Sequence, residues 1–448
     1  MRRKRALALL VTLAVVAAIS LAVWAPGSRV SAEGEVYEGL KVFTEVLSVV
    51  KTKYVEETNT QDLIYDALAG MLKSLDPHSG FMTPDMYKEM QIDTRGKFGG
   101  LGIQISMKDG VLTVIAPIED TPAWRAGIEA GDKIIKIDGE STQDMSLQEA
   151  VNKMRGPKGT SVVITIFREG EKEPKDYAIV RDIIEIKSVD AKVVEDGIGY
   201  VRLKQFQEKS AAEMEAALQD LVGKEEVTAL ILDLRNNPGG LLTSSIDVAN
   251  LFLPSGKLVV YTKGRAEDRT DYRTVQDGPY QDIPMVVLVN QGSASASEIV
   301  AGALKDWRRA IVLGTETFGK GSVQSVIGLS DGSGLRLTTA RYYTPKGQSI
   351  QNTGITPDIV VKLKSANGAA EHVVVREKDL KGHLENEQAG QGDASDTGEE
   401  KAVIFSSLSP EDDTQLQRAI DLLKAWETFK KLPDGEFLPR VENVPAHS

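Results

Sequence analysis

Between residues 181 and 362, short apolar runs alternate with stretches of helical periodicity. "GIGYVRLKQF" reads as a strand, "SAAEMEAALQDLV" as a helix and "VTALILDLRNNPGG" as a strand and turn. "LLTSSIDVANLFL" reads as a helix, "MVVLVNQG" as a buried strand and "SASEIVAGALKDW" as a helix. "RRAIVLGTET" and "SGLRLTTARYYTPKG" supply later strands. The strands are almost continuously apolar rather than alternating. Such strands need cover on both faces, so this segment predicts an α/β core.

The rest of the chain reads differently. Residues 33–95 carry helical periodicity, with Thr60 placed to cap a second helix, and end in the turn cluster "DPHSGFMTP". Residues 96–180 predict a small α+β module. It has two strand-like runs joined by Lys-Asp-Gly, a short helix, a glycine turn, a capped helix "SLQEAVNKMRG" and a last strand "TSVVITIFREG". Residues 181–363 are the α/β core. Residues 364–408, polar, acidic and glycine-rich as in "LENEQAGQGDASDTGEE", read as a disordered linker. Residues 409–448 hold a C-terminal helix with an acidic first turn. The 448 residues are enough for about three domains.

The first 32 residues set the compartment. "MRRKR" is a basic start, Ala6 to Trp24 is an uncharged apolar run, and "VSA" ends at Ala32 in a small-x-small pattern. This is a signal peptide or an N-terminal anchor. Either places the remainder outside the cytoplasm, with membrane contact only through this segment. A net charge of −12 argues against nucleic acid. The absence of cysteine excludes disulfides, thiolate metal sites, a cysteine nucleophile and an N-terminal lipidated cysteine. No cofactor is called for, and the histidines are not clustered as metal ligands.

Three stretches carry candidate chemistry. "RNNPGG", Arg235 to Gly240, follows an aliphatic strand; its glycines allow backbone N–H groups to face a cavity, although a plain turn is the commoner reading of such a stretch taken alone. "NQGSASASEI", residues 290–299, sets three serines at a strand-to-helix turn, where they serve as cap, packing surface or nucleophile. "GTETFGKGSVQ", Gly314 to Gln324, places a lone lysine between glycines. In an apolar site a lysine loses its charge and its neutral amine becomes a general base. No histidine stands between His78 and His372 to do that work. The rival reading, a phosphate-binding loop, lacks the hydroxyl residue after Lys320 and the helix that should follow.

Taken together, "FGGLGI", "TPAWRAGIEAGD", "LDLRNNPGG", "GSASASEIVAGAL", "TFGKGSVQ" and "YYTPKG" resemble the carboxy-terminal processing proteases, the tail-specific S41 serine peptidases of bacterial envelopes and chloroplast lumens. The resemblance spans residues 36 to 362 and implies a PDZ-like α+β module followed by a protease core of the ClpP/crotonase-like α/β type. It implies Ser295 as nucleophile, Lys320 as base and Gln324 orienting that base. Gly239 and Ala296 become the backbone donors of an oxyanion hole, with Ser293 and Ser297 structural. Gly99, Gly100, Leu101, Gly102 and Ile103 become the PDZ loop that receives a peptide carboxylate.

The implied activity is endoproteolysis of envelope proteins at or near unstructured C-termini, with the PDZ module delivering the tail and in some relatives gating the site. A homodimer or larger oligomer through residues 33–95 and an adaptor lipoprotein are the partners so implied. An inactive peptide-binding scaffold is the alternative, and the presence of serine, lysine and glutamine argues against it. A His-Asp-Ser protease with a PDZ domain fails on the missing histidine.

Overall fold

A computed structural model describes residues 29–265, 269–363, 371–388, 401–403 and 411–430. The apolar run Ala6 to Trp24 lies outside them. No helix among the described residues is long and apolar enough to cross a membrane. The chain divides into two units, Met1–Met71 and Leu72–Ser448. The described part of the first consists of helix Arg29–Lys53 and most of helix Thr60–Lys73. Thr60 is not the cap expected of it. The side chain of Asn59 accepts from Gln61 N–H at 2.9 Å, and its carbonyl accepts from Leu63 N–H, so Asn59 is the cap and Thr60 the first helical residue.

The second unit is organised around a six-stranded sheet in the order Val189–Glu195, Ile198–Leu203, Ala229–Asp233, Met285–Val289, Ile311–Gly314 and Ile359–Val360. The first pair is antiparallel and the rest are parallel. Successive residues face opposite sides. Leu230, Leu232, Val287 and Val289 pack with helices Ser210–Gly223, Leu242–Asn250 and Ala296–Asp306. Tyr200, Ile231, Val286 and Leu288 face the other way and are covered by Leu416, Ala419, Ile420 and Leu423. These last come from helix Thr414–Lys430, which therefore completes the core. The fully buried Arg235 pins it: its guanidinium bonds Asp233 at 2.6 Å, Asp413 at 2.8 Å and Gln415 at 3.1 Å.

A second sheet joins Gly80–Met82, Gly334–Tyr343, Leu258–Gly264 and Thr270–Arg273, with Ser322–Gly328 also paired to Gly334–Tyr343. The turn "DPHSG" thus feeds an edge strand of this sheet. The module after residue 96 has its own sheet, Ile103–Lys108 to Lys175–Val180, and its own core of Leu112, Ile134, Ile164 and Ile166. Its first hairpin turns at Asp109 and Gly110 with φ 51° and 77°, the left-handed pair that a two-residue turn needs.

The stretch 364–408 does not remain a linker throughout. Residues 371–388 fold: strand Glu371–Val373 pairs with Lys401–Val403, and Arg376, Glu377 and Asn386 are buried. The polar composition that suggested solvation is consumed by hydrogen bonds to the core, among them Glu377 N–H to Phe318 O at 3.1 Å and Asn386 Nδ2 to Gln351 O at 2.8 Å.

Candidate active site

Strands Ala229–Asp233 and Met285–Val289 are parallel neighbours, so their carboxyl ends open at one edge of the sheet. The two turns that follow are laced together. Asn290 Oδ1 accepts from Asn236 N–H at 2.9 Å and its Nδ2 donates to Asn236 Oδ1 at 2.8 Å. Ser293 Oγ donates to Leu234 O at 2.8 Å, and Ser297 Oγ to Asn237 O at 2.9 Å. Both serines are fully buried, whereas Ser295 between them is half-buried.

Ser295 sits at the N-cap of helix Ala296–Asp306 with φ 56° and ψ −113°. For a residue with a Cβ this backbone is strained, costing about 1–3 kcal/mol, and such strain persists only where the surroundings hold it. Here Ser295 N–H donates to Glu298 Oε2 at 2.8 Å. Ala296 N–H is a first-turn amide without an intrahelical acceptor. Gly239, at φ 98°, lies against it: a Cβ there would stand 3.0 Å from Ala296 N and 2.7 Å from Ala294 O. The structure therefore brings Gly239, Ser295 and Ala296 together. The Gly239 N–H itself donates to Asn237 Oδ1 at 2.9 Å.

Lys320 arrives on the loop after strand Ile311–Gly314, and the residue is half-buried. Desolvation, joined by the positive charge of Arg336, holds this amine below the ordinary lysine range, although the carboxylates of Glu377, Glu298 and Asp76 oppose the shift. Among the described residues no hydrogen bond joins Ser295 Oγ to Lys320 Nζ. Gln324 Nε2 donates to Ser322 Oγ at 2.9 Å and toward Thr338 Oγ1 at 3.5 Å, which leaves its Oε1 as an acceptor.

Glu298 is the residue that sequence reading missed. Its fully buried carboxylate accepts four bonds: Ser295 N–H at 2.8 Å, Lys320 N–H at 2.9 Å, Gly319 N–H at 2.7 Å and Thr317 Oγ1 at 2.6 Å. It ties the serine turn to the lysine loop. Burial pushes its carboxyl up to about 7 despite those four donors. The available signal was the capping-box spacing, Ser295 followed three residues later by Glu298. Asp76 behaves differently. Burial would raise it, but bonds from the Ser79 hydroxyl, the His78 and Ser79 amides and Thr338 hold it below the usual carboxylate range.

The five residues expected to receive a peptide end are placed at the entry to the smaller module. Leu101 is buried, and its carbonyl accepts from Ala123 N–H at 2.9 Å. Gly102, at φ 80°, presses on Thr121, where any Cβ would collide. Leu101, Gly102 and Ile103 line a cavity of about 70 Å³ with Phe98, Val151 and Met154. Gly99 lies outside this cavity, with its carbonyl accepting from Gly156 N–H at 3.1 Å.

Comparison with known proteins bears on this geometry. A family model for Peptidase family S41 matches residues 197–361, and one for the PDZ domain matches residues 113–168. A carboxy-terminal-processing protease of Bartonella bacilliformis is 45% identical over 419 residues, covering 92% of this chain and 95% of that protein. A carboxyl-terminal-processing protease of Synechocystis is 41% identical over 322 residues, covering 70% of this chain and 75% of that protein. Among solved structures, a photosystem II D1 C-terminal processing protease is 32% identical, with 71% of this chain and 92% of that one covered and a TM-score of 0.42.

Proposed function

Because this chain belongs to the carboxy-terminal-processing proteases of peptidase family S41, we propose that its serine peptidase activity runs on Ser295 and Lys320. The carrying observation is the Glu298 carboxylate, which binds the amides of both residues and sets one relative to the other. Neutral Lys320 Nζ takes the proton as Ser295 Oγ attacks the scissile carbonyl. The same proton then goes to the leaving amine, and water releases the acyl-enzyme. The open Oε1 of Gln324 accepts from the lysine amine and orients it. The oxyanion is received by the N–H groups of Ala296 and Gly239. For this the Gly239 amide turns away from Asn237 Oδ1, a rotation that glycine tolerates.

The PDZ module takes the substrate's C-terminus in the cleft beside Leu101 to Ile103, adds it as a strand to Ile103–Lys108 and gates the site. The substrates are envelope proteins with unstructured tails. The chain is exported by its N-terminal segment, cleaved or retained as an anchor. Helix Arg29–Lys53 leaves Tyr37, Leu40 and Phe43 exposed, which supports assembly into a dimer or larger oligomer through this region, with an adaptor lipoprotein as a further partner.

The test is cleavage of an unfolded protein such as β-casein by the chain from residue 33 onward, with apolar C-terminal peptides added as activators. Ser295→Ala and Lys320→Ala are each expected to lose about a thousandfold or more. Activity retained in either would sink the assignment. The pH profile supplies a second check. The base must be neutral, so activity rises with pH as Lys320 loses its proton, with a midpoint below the ordinary lysine range. Replacing all four histidines should still leave a rise with pH, whatever its midpoint.

A further inference from the structure

The turn "DPHSG" and the segment Arg376–Gln388 have no part in the chemistry described so far, yet they meet beside the lysine loop. Glu377 is completely buried and belongs to a stretch whose composition reads as solvated. Its carboxylate meets His78 Nε2 at 2.7 Å and accepts from Gln351 Nε2 at 3.1 Å. Gln351 in turn uses its Oε1 to accept from Gly321 N–H at 3.1 Å, the residue next to Lys320.

The backbone repeats the contact: Glu377 N–H donates to Phe318 O at 3.1 Å. On either side, Arg376 pairs with Glu316 at 2.8 Å, and Leu384 O accepts from Gln351 Nε2 and Asn352 Nδ2, both at 3.0 Å. Asn352 N–H donates to Gly319 O at 2.9 Å. The segment is therefore a strap. It holds Glu316 and Phe318 directly, and Gly319 and Gly321 through Asn352 and Gln351, while Glu298 holds Thr317, Gly319 and Lys320.

We propose that Glu377 is a positioning residue for the base, acting through Gln351 on the backbone beside Lys320, and that His78 locks it there. This rests on Lys320 being the base. A buried carboxylate is costly unless it is paired and hydrogen-bonded. His78 and Gln351 supply those partners to Glu377. Lys320 is faced by the carboxylates of Glu377, Glu298 and Asp76 and by the guanidinium of Arg336; Glu377 is faced by His78.

The sign follows. The Glu377 charge favours the protonated lysine, so removing it lets Lys320 lose its proton at lower pH. The experiment is the pH dependence of kcat and KM on a peptide substrate for wild type, Glu377→Gln, Glu377→Asp and Gln351→Ala, with Lys320→Ala alongside. Glu377→Gln should move the alkaline rise to lower pH and cut the plateau kcat by about ten- to a hundredfold, the scale of a small misplacement, with KM little changed. Glu377→Asp keeps the charge and should keep the midpoint. Gln351→Ala should lower kcat without moving the midpoint.

A fall in kcat with an unmoved midpoint in Glu377→Gln would reduce Glu377 to a structural role and overturn the inference. An unchanged kcat in both Glu377→Gln and Gln351→Ala would do the same. An active Lys320→Ala would instead sink the base assignment itself.

Discussion

The turn that carries Ser295 takes most of its side-chain support from one place, the ends of two adjacent parallel strands. Asn236, Asn237 and Leu234 at one strand end bond Asn290, Ser293, Ala294 and Ser297 at the other. The loop that carries Lys320 is supported by scattered pieces of chain: Glu298 in the serine helix, Gln351 and Asn352 after the second sheet, and Glu377 beyond the core. A lesion in the first region meets several redundant bonds. A lesion in the second removes a tie to a distant segment of the chain. The Ser295 turn is thus fixed by local architecture, and the Lys320 loop by agreement among distant segments.

The widest break in that contrast is Glu298→Ala, because this one carboxylate belongs to both regions. It leaves three amides and a hydroxyl without their acceptor. Each bare buried donor costs about 1–3 kcal/mol. Both the unfolding midpoint in denaturant and peptidase activity should fall severely, activity by more than about a hundredfold. A near-wild-type rate would show that the two loops are not coupled through it.

Thr317→Ala probes the lysine loop alone. It removes a hydroxyl that donates to Glu298 at 2.6 Å and accepts from Ile355 N–H at 2.7 Å. A stability loss of about 1–3 kcal/mol is expected, with a drop in kcat of about tenfold. Ser293→Ala is the matching lesion in the serine turn, and its stability cost should be about 1 kcal/mol. Its kcat should stay within about threefold of wild type, since the Asn236–Asn290 pair remains. If Ser293→Ala cost more activity than Thr317→Ala, the contrast between the regions would be reversed.

The same contrast explains what could be read from the chain beforehand. The α/β core was legible because its strands are apolar throughout, and the PDZ hairpin because Asp109-Gly110 has turn chemistry. Ser295 and Lys320 were legible as a serine-rich turn and a glycine-flanked lysine. Glu298, Gln351 and Glu377 were not, because a buried polar residue is recognised by its partners, and apart from Ser295 beside Glu298 and Asn352 beside Gln351 those partners stand 19 or more residues away, 299 for His78. Composition misassigned the strap for the same reason: an acidic, polar stretch resembles a solvated one until its acceptors are known. The cover on the second face of the sheet was missed because the C-terminal helix is too polar on average to announce a core role.

That helix has a consequence in time. Arg235 finds its partner Asp413 178 positions later in the chain. During synthesis the Ser295 turn, the Lys320 loop and most of the sheet emerge first. One apolar face of that sheet and a charged guanidinium then wait for the last part of the polypeptide. The strap over the lysine loop also comes late. A chain cut short before residue 376 would present the Ser295 turn and the Lys320 loop without the strap and without the helix that covers the sheet.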